Sequence, residues 1–253
     1  VPVLLAFIWA SSGGRPLSQI RKVGLAGAIG GFGLVFAFAG AIYAIQTTTI
    51  ANAVFLFTAS PFVAAVLGWI ILGERVRPWT WAAIALAVVG MYLMVREGLS
   101  TGALAGNIAA LLSAAGFGAF SVCLRWGKVG EMLPVSMLGG VFSVLVAGVI
   151  LLAKGQPLLI PAWDMAISVG AGAAVLALGM VMYTLGSRII PAAELTLLSL
   201  IEVLLAPIWV FVFLRETASA ATFVGGGVLL AAVALNAMMG ARGARHEGVA
   251  EPP

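Results

Sequence analysis

The chain has 253 residues, 62% of them apolar and only 9% charged, with a mean hydropathy of +1.16. A soluble domain carries about 45–50% apolar and about 25% charged residues, so a water-soluble fold is excluded and an all-α integral membrane protein is expected. The net charge of +4 does not indicate nucleic acid, because the basic residues sit singly between apolar runs and read as topology signals.

Crossing a bilayer takes about 20 apolar residues per helix. Val1 to Ala10 is too short for that and reads as the end of a helix whose beginning is absent from this chain. Eight candidate spans follow, at 23–45, 50–72, 79–95, 103–124, 134–153, 164–186, 193–214 and 220–240. Their connections are short and rich in turn formers, such as Ser11-Ser12-Gly13-Gly14-Arg15-Pro16 and Gly73-Glu74-Arg75-Val76-Arg77-Pro78, and Arg242 to Pro253 form a solvated tail. Trp9, Trp79, Trp81, Trp126 and Trp163 fall at or near the predicted ends, where an interfacial belt would place them.

Alternate connections carry unequal charge. Arg15, Arg21, Lys22, Arg75, Arg77, Arg125, Lys128, Arg188, Arg242 and Arg245 lie on one side, and Arg96, Lys154 and Arg215 on the other. The richer side is cytoplasmic by the positive-inside rule, which puts the C-terminus there too. One helix added before the partial one gives ten spans with both termini inside.

An internal repeat is visible at a shift of 142 residues. Ala51 to Leu72 with Gly73-Glu74 falls on Ala193 to Leu214 with Arg215-Glu216, and Thr80 falls on Thr222. Because Glu74 and Glu216 end up on opposite sides, the halves are related by inversion. That is a recurring architecture of secondary transporters. The expected fold is a polytopic helical bundle of two inverted five-helix repeats, 1–97 (truncated at its start) and 98–241, with 242–253 as a cytoplasmic tail.

These residues carry a resemblance. Pro61…Leu72-Gly73-Glu74, Glu202…Pro207-Ile208-Trp209…Leu214-Arg215-Glu216 and above all Ser199 to Trp209 resemble the drug/metabolite transporter superfamily, and within it the ten-helix EamA-type permeases. The resemblance implies an inner-membrane transporter, often an exporter, of small metabolites such as amino acids. The second half departs from the family's usual Gly-Glu helix end in having Arg215 before Glu216.

Ionisable groups deep in a bilayer are costly and usually functional. Glu202 lies about nine residues into its span, roughly 14 Å at 1.5 Å per residue, near the midplane. Helical spacing puts Leu195, Ser199, Glu202, Ala206 and Trp209 on one face. A carboxylate, a hydroxyl and an indole on one stripe can hold an amine by charge and cation–π attraction. Glu202 could instead carry a proton, or be a neutral packing residue. Pro207 favours a kink just beyond it. Glu194, at the cytoplasmic start of the same span, reads as a helix-end charge. The equivalent first-half face offers Asn52, Phe55, Leu56, Ala59 and Ser60, with Pro61 as its kink and no charge. Tyr43 and Tyr183 occupy nearly corresponding positions and read either as cavity-mouth groups or as interfacial anchors. Asn107, Ser113 and Ser121 are further lining candidates, or helix-bridging hydroxyls and amides. The expected substrate-binding set is Glu202, Trp209, Ser199, Tyr183, Asn52, Ser60 and Tyr43.

Gly102, Gly106, Ala110, Ala114 and Gly118 recur every four residues and read as a close-packing stripe, more readily against a helix of the same chain than against another copy. The sole histidine, His246, is in the tail and the sole aspartate is Asp164. Zinc-protease, serine-hydrolase and prenyl-transfer chemistry therefore lack their residues, and no cofactor or metal is expected. A channel is disfavoured by the sparse internal polarity. The reading is a secondary transporter, in the inner (plasma) membrane, that is not an enzyme. Its expected partners are the bilayer and a small-molecule substrate, with proton coupling and a monomer or homodimer both open. The alternative substrate class is amphipathic cationic drugs.

Overall fold

The computed structural model describes residues 1–11, 16–127, 132–157, 161–186 and 192–247. Among them every regular element is helical: α1 (Pro2–Ser11), α2 (Pro16–Thr47), α3 (Ile50–Phe57), α4 (Ser60–Leu72), α5 (Pro78–Thr101), α6 (Leu104–Trp126), α7 (Met132–Ala153), α8 (Ala162–Ala171), a π-helical segment (Gly172–Ala177), α9 (Leu178–Gly186), α10 (Ala192–Leu214) and α11 (Ala220–Glu247).

Six stretches of the described residues are long and apolar enough to cross a bilayer: Val23–Thr47, Ile50–Leu72, Pro78–Glu97, Leu104–Trp126, Leu133–Ala153 and Ala220–Gly240. They coincide with six of the eight predicted spans. The chain is a polytopic helical membrane protein. Of the other two predictions, 193–214 falls within α10, whereas 164–186 is broken by the π segment. There the Leu178 N–H reaches back five residues to the Ala173 carbonyl, the spacing of a π turn.

The prolines act differently in the two matched stretches. In 50–72 the helix breaks at Thr58 and Ala59, and Pro61 opens α4, where its missing N–H costs nothing. The Thr58 hydroxyl donates to the Phe55 carbonyl at 2.6 Å, covering an acceptor at the break. Helix α10 instead continues through Pro207. Near the start of α2, Gly24 (φ 60°, ψ −160°) interrupts the helix, so the membrane part begins where the apolar run does.

The chain forms two compact units, residues 1–35 with 119–189 and residues 36–118 with 190–253. In the first, Leu4 and Ile8 of α1 pack with Leu133 and Met137 of α7 and with Ala177 and Val181. In the second, α5 packs along α11. A Cβ built on Gly90 would lie 2.5 Å from the Gly225 carbonyl oxygen, and one on Gly225 would lie 2.6 Å from that of Gly90. Backbones this close are gained only by small residues, the usual source of helix affinity where lipid removes the hydrophobic drive. The stripe on α6 is used the same way. Gly106 lies against Thr47 and Thr48, Gly118 lies against Ser60, Val63 and Ala64, and Ala110 and Ala114 are buried. Its partners in this unit are the end of α2 and the start of α4. The Ser113 hydroxyl bridges helices, donating to the Ala37 carbonyl.

Candidate functional site

The first-half face is buried throughout: Asn52, Phe55, Leu56, Ala59 and Ser60 are all less than a tenth exposed. Tyr43 is half exposed, and Trp209 is 54% exposed, its ring stacked on Phe213 at 5.7 Å and 22°. The side chains of Tyr183, Ser199, Glu202 and Glu194 lie outside the described residues. Helix α10 packs on α3, and Val203, next to Glu202, packs against the cluster of Ala51, Ala53, Phe55, Leu56, Ala109 and Ala110. Among the predicted set, Tyr43, Asn52, Ser60, Ser199, Glu202 and Trp209 belong to the unit of residues 36–118 and 190–253, and Tyr183 belongs to the other.

Asn52 is the best-defined member, and its surroundings follow from helix ends. The turn after α2 leaves Thr49 as the N-cap of α3, with its hydroxyl accepting the Asn52 N–H at 3.3 Å. This cap satisfies one orphan donor of the first turn. The Ile50 N–H, a second such donor, reaches the Glu216 carboxylate at 2.8 Å, a favourable charge at a helix start. Ser219 caps α11 in the same manner, accepting the Thr222 N–H at 3.1 Å.

These caps bring further polar side chains together. The Asn52 carboxamide nitrogen donates to Thr48 Oγ1 at 3.2 Å and to Asn107 Oδ1. The Thr48 hydroxyl donates to the same Asn107 oxygen at 3.0 Å. The Thr222 hydroxyl faces Asn52 Oδ1 at 3.4 Å and Ser219 Oγ at 3.1 Å, and the Ser219 hydroxyl donates to Glu97. Asn52, Asn107 and Thr222 are 4%, 0% and 4% exposed, so the middle of this chain of bonds is dry. The amide nitrogen of Asn107 has no hydrogen-bond partner among the described residues.

Thr48, Glu97, Ser219 and Thr222 were not candidates on sequence grounds. Each is an ordinary cap or helix-end residue when read singly, and only the packing of α3, α5, α6 and α11 joins them. Asn107 was visible as a polar residue in an apolar span. Among the described residues no group of three histidine, cysteine or acidic side chains converges to hold a metal.

Residues 1–96 match the EamA-like transporter family. An uncharacterized transporter of Archaeoglobus fulgidus is 27% identical over 194 residues, covering 76% of this chain and 68% of that protein. The first 96 residues are thus similar to EamA-like transporters, and most of the chain is similar to a protein named as a transporter. The chain also superposes on a solved crystal structure with a TM-score of 0.58 at 20% identity, over 95% of this chain and 85% of the other. That likeness concerns the fold alone.

Proposed function

We propose that this chain is a secondary transporter of the EamA-like family. It moves amino acids or similar small metabolites out of the cytoplasm by alternating access between two inverted halves, 1–97 and 98–241. One observation carries the two-half reading. Adding 142 to the bounds of the matched helices takes Ile50 to Ala192, Leu72 to Leu214 and Pro78 to Ala220, which are the bounds of α10 and the first residue of α11. The same shift takes Gly73 to Arg215, and both hold a left-handed backbone, φ +66° and +56°. Equivalent helices with equivalent ends support two copies of one unit, the construction that lets a transporter present one site to either side.

Glu202 and Trp209 on α10 are the proposed centre of the substrate site, with Ser199, Asn52, Ser60 and Tyr43 of the same unit as further contacts. Tyr183 remains a proposed contact on sequence grounds. Glu202 supplies charge for a substrate amine or carries a coupled proton. The exposed Trp209–Phe213 stack would also suit a flat cation, which keeps amphipathic cations as the second substrate class. The lysine and arginine bias supports a C-terminus in the cytoplasm, and the likeness to EamA-like transporters supports an inner-membrane location.

The test is transport in proteoliposomes, screened with radiolabelled amino acids and a cationic dye, with and without a pH gradient. Glu202→Gln should abolish uptake or remove its dependence on the gradient, while the protein still inserts. Unchanged transport at every pH would remove Glu202 from the site.

A further inference from the structure

Five hydrogen bonds join the two proposed halves at one end of the unit formed by residues 36–118 and 190–253. Thr48 and Asn52 reach Asn107, the Ile50 N–H reaches Glu216, Thr222 reaches Asn52, and Ser219 reaches Glu97. In each, one partner comes from 1–97 and the other from 98–241. The residues gather where α2, α5 and α10 end and α3, α6 and α11 begin. Arg96 and Arg215, of the sparsely charged set, belong to the same connections, which makes this the non-cytoplasmic end by the positive-inside rule.

We propose that this network is a latch that closes the non-cytoplasmic end and must part each time the transporter opens to that side. The proposal rests on the two-half, alternating-access reading. Its chemistry suits reversible closure. None of these five bonds pairs opposite charges, so parting them separates no ion pair between their partners. The closed network is also short of matched partners. Ser219 has one hydroxyl hydrogen, which the Glu97 carboxylate takes as a charge-assisted bond. Thr222 has one hydrogen for two acceptors, Ser219 and Asn52. The Asn107 amide nitrogen has no acceptor among the described residues. A buried polar group without a partner costs stability that water restores on opening. The closed end is therefore held by several bonds and yet remains easy to release.

The experiment reads access directly and needs no known substrate. In a Cys123→Ser background, Ala51→Cys reports on the latched end and Ala83→Cys on the opposite end of the same unit; both alanines are buried. A membrane-impermeant maleimide is applied to each side of oriented vesicles, with and without the pair Ser219→Ala and Thr222→Val. Losing bonds worth a few-fold each should speed labelling at position 51 by roughly tenfold and slow it at position 83. No change at position 51, or an equal rise at both positions, would overturn the latch, the second result meaning general loosening. Faster labelling at 51 with no change at 83 would keep the latch and reject alternating access.

Discussion

Arg215 follows the last residue of α10 with φ +56°, the one non-glycine position among the described residues in the left-handed region. Its counterpart Gly73 has φ +66° and caps α4. An L-residue in that conformation costs about 1–2 kcal/mol, while a glycine brings about 0.5–1 kcal/mol of extra unfolded-chain freedom to be lost. Arg215→Gly should therefore stabilise the protein by about 0.5–1 kcal/mol, a rise in Tm of about 1–4 °C for a chain of this size. Gly73→Ala should cost a similar amount. No atom lies within 4 Å of a Cβ built there, so the loss would be backbone strain without a clash. Arg215→Ala serves as the control for the lost side chain and should stay within about 0.5 kcal/mol of the parent. Thermal unfolding in detergent micelles, followed by tryptophan fluorescence, measures all three. A lower Tm for Arg215→Gly together with an unchanged Tm for Arg215→Ala would refute the strain argument. An unchanged Tm for Gly73→Ala would break the equivalence of the two helix ends.

Three further outcomes follow from the same structure. Impermeant cysteine reagents applied from outside should reach the 215–219 turn and miss the 73–78 turn, and the reverse pattern would overturn the inverted repeat. Gly90→Ala should destabilise the α5–α11 seam by about 1–3 kcal/mol, because the added methyl meets the Gly225 carbonyl and the Leu229 N–H, both backbone; an unchanged unfolding temperature would show the seam to be loose. Asn107→Leu removes a fully buried amide whose nitrogen has no partner among the described residues, but it also takes the acceptor from Thr48 and Asn52. It should cost about 1–3 kcal/mol in unfolding assays, and Asn52→Leu, which strips partners from Thr48, Asn107 and Thr222, should cost more; an Asn107→Leu protein as stable as the parent would show that those donors find other acceptors.

The membrane spans were legible because hydrophobic length is a local property. Ile50–Leu72 and Ala220–Gly240 have the ends that the sequence predicts. The first-half face of Asn52, Phe55, Leu56, Ala59 and Ser60 is less distinct than helical spacing predicts: Ala51, Ala53 and Thr58 are buried as well, and the break at Thr58 and Ala59 interrupts the spacing. Two features escaped. The break at Thr58 and Ala59 was foreseen only as a kink, because Pro61 reads alike whether it bends a helix or begins one. The network from Glu97 to Asn107 could not be seen at all. It joins residues as far apart in the chain as Asn52 and Thr222, and nothing in a cap motif tells which other helix end it will meet. The stripe on α6 announced a close contact without naming the partner, which the structure supplies in Thr47, Thr48, Ser60 and Ala64.

The π segment at Gly172–Ala177 changes how the stretch from Ala162 to Gly186 can be probed. A π turn accommodates one residue more than an α turn, so side chains beyond it are rotated by about 100° from where unbroken α-helical counting would put them. A helical wheel drawn through 164–186 mixes two faces, and a residue chosen by that wheel to face a site can lie a quarter-turn away. Scanning mutagenesis of this stretch should show two phases of the 3.6-residue period, offset by one position across 172–177. Deleting one residue inside the segment should merge them into one, turning the outer half of the helix as a single piece.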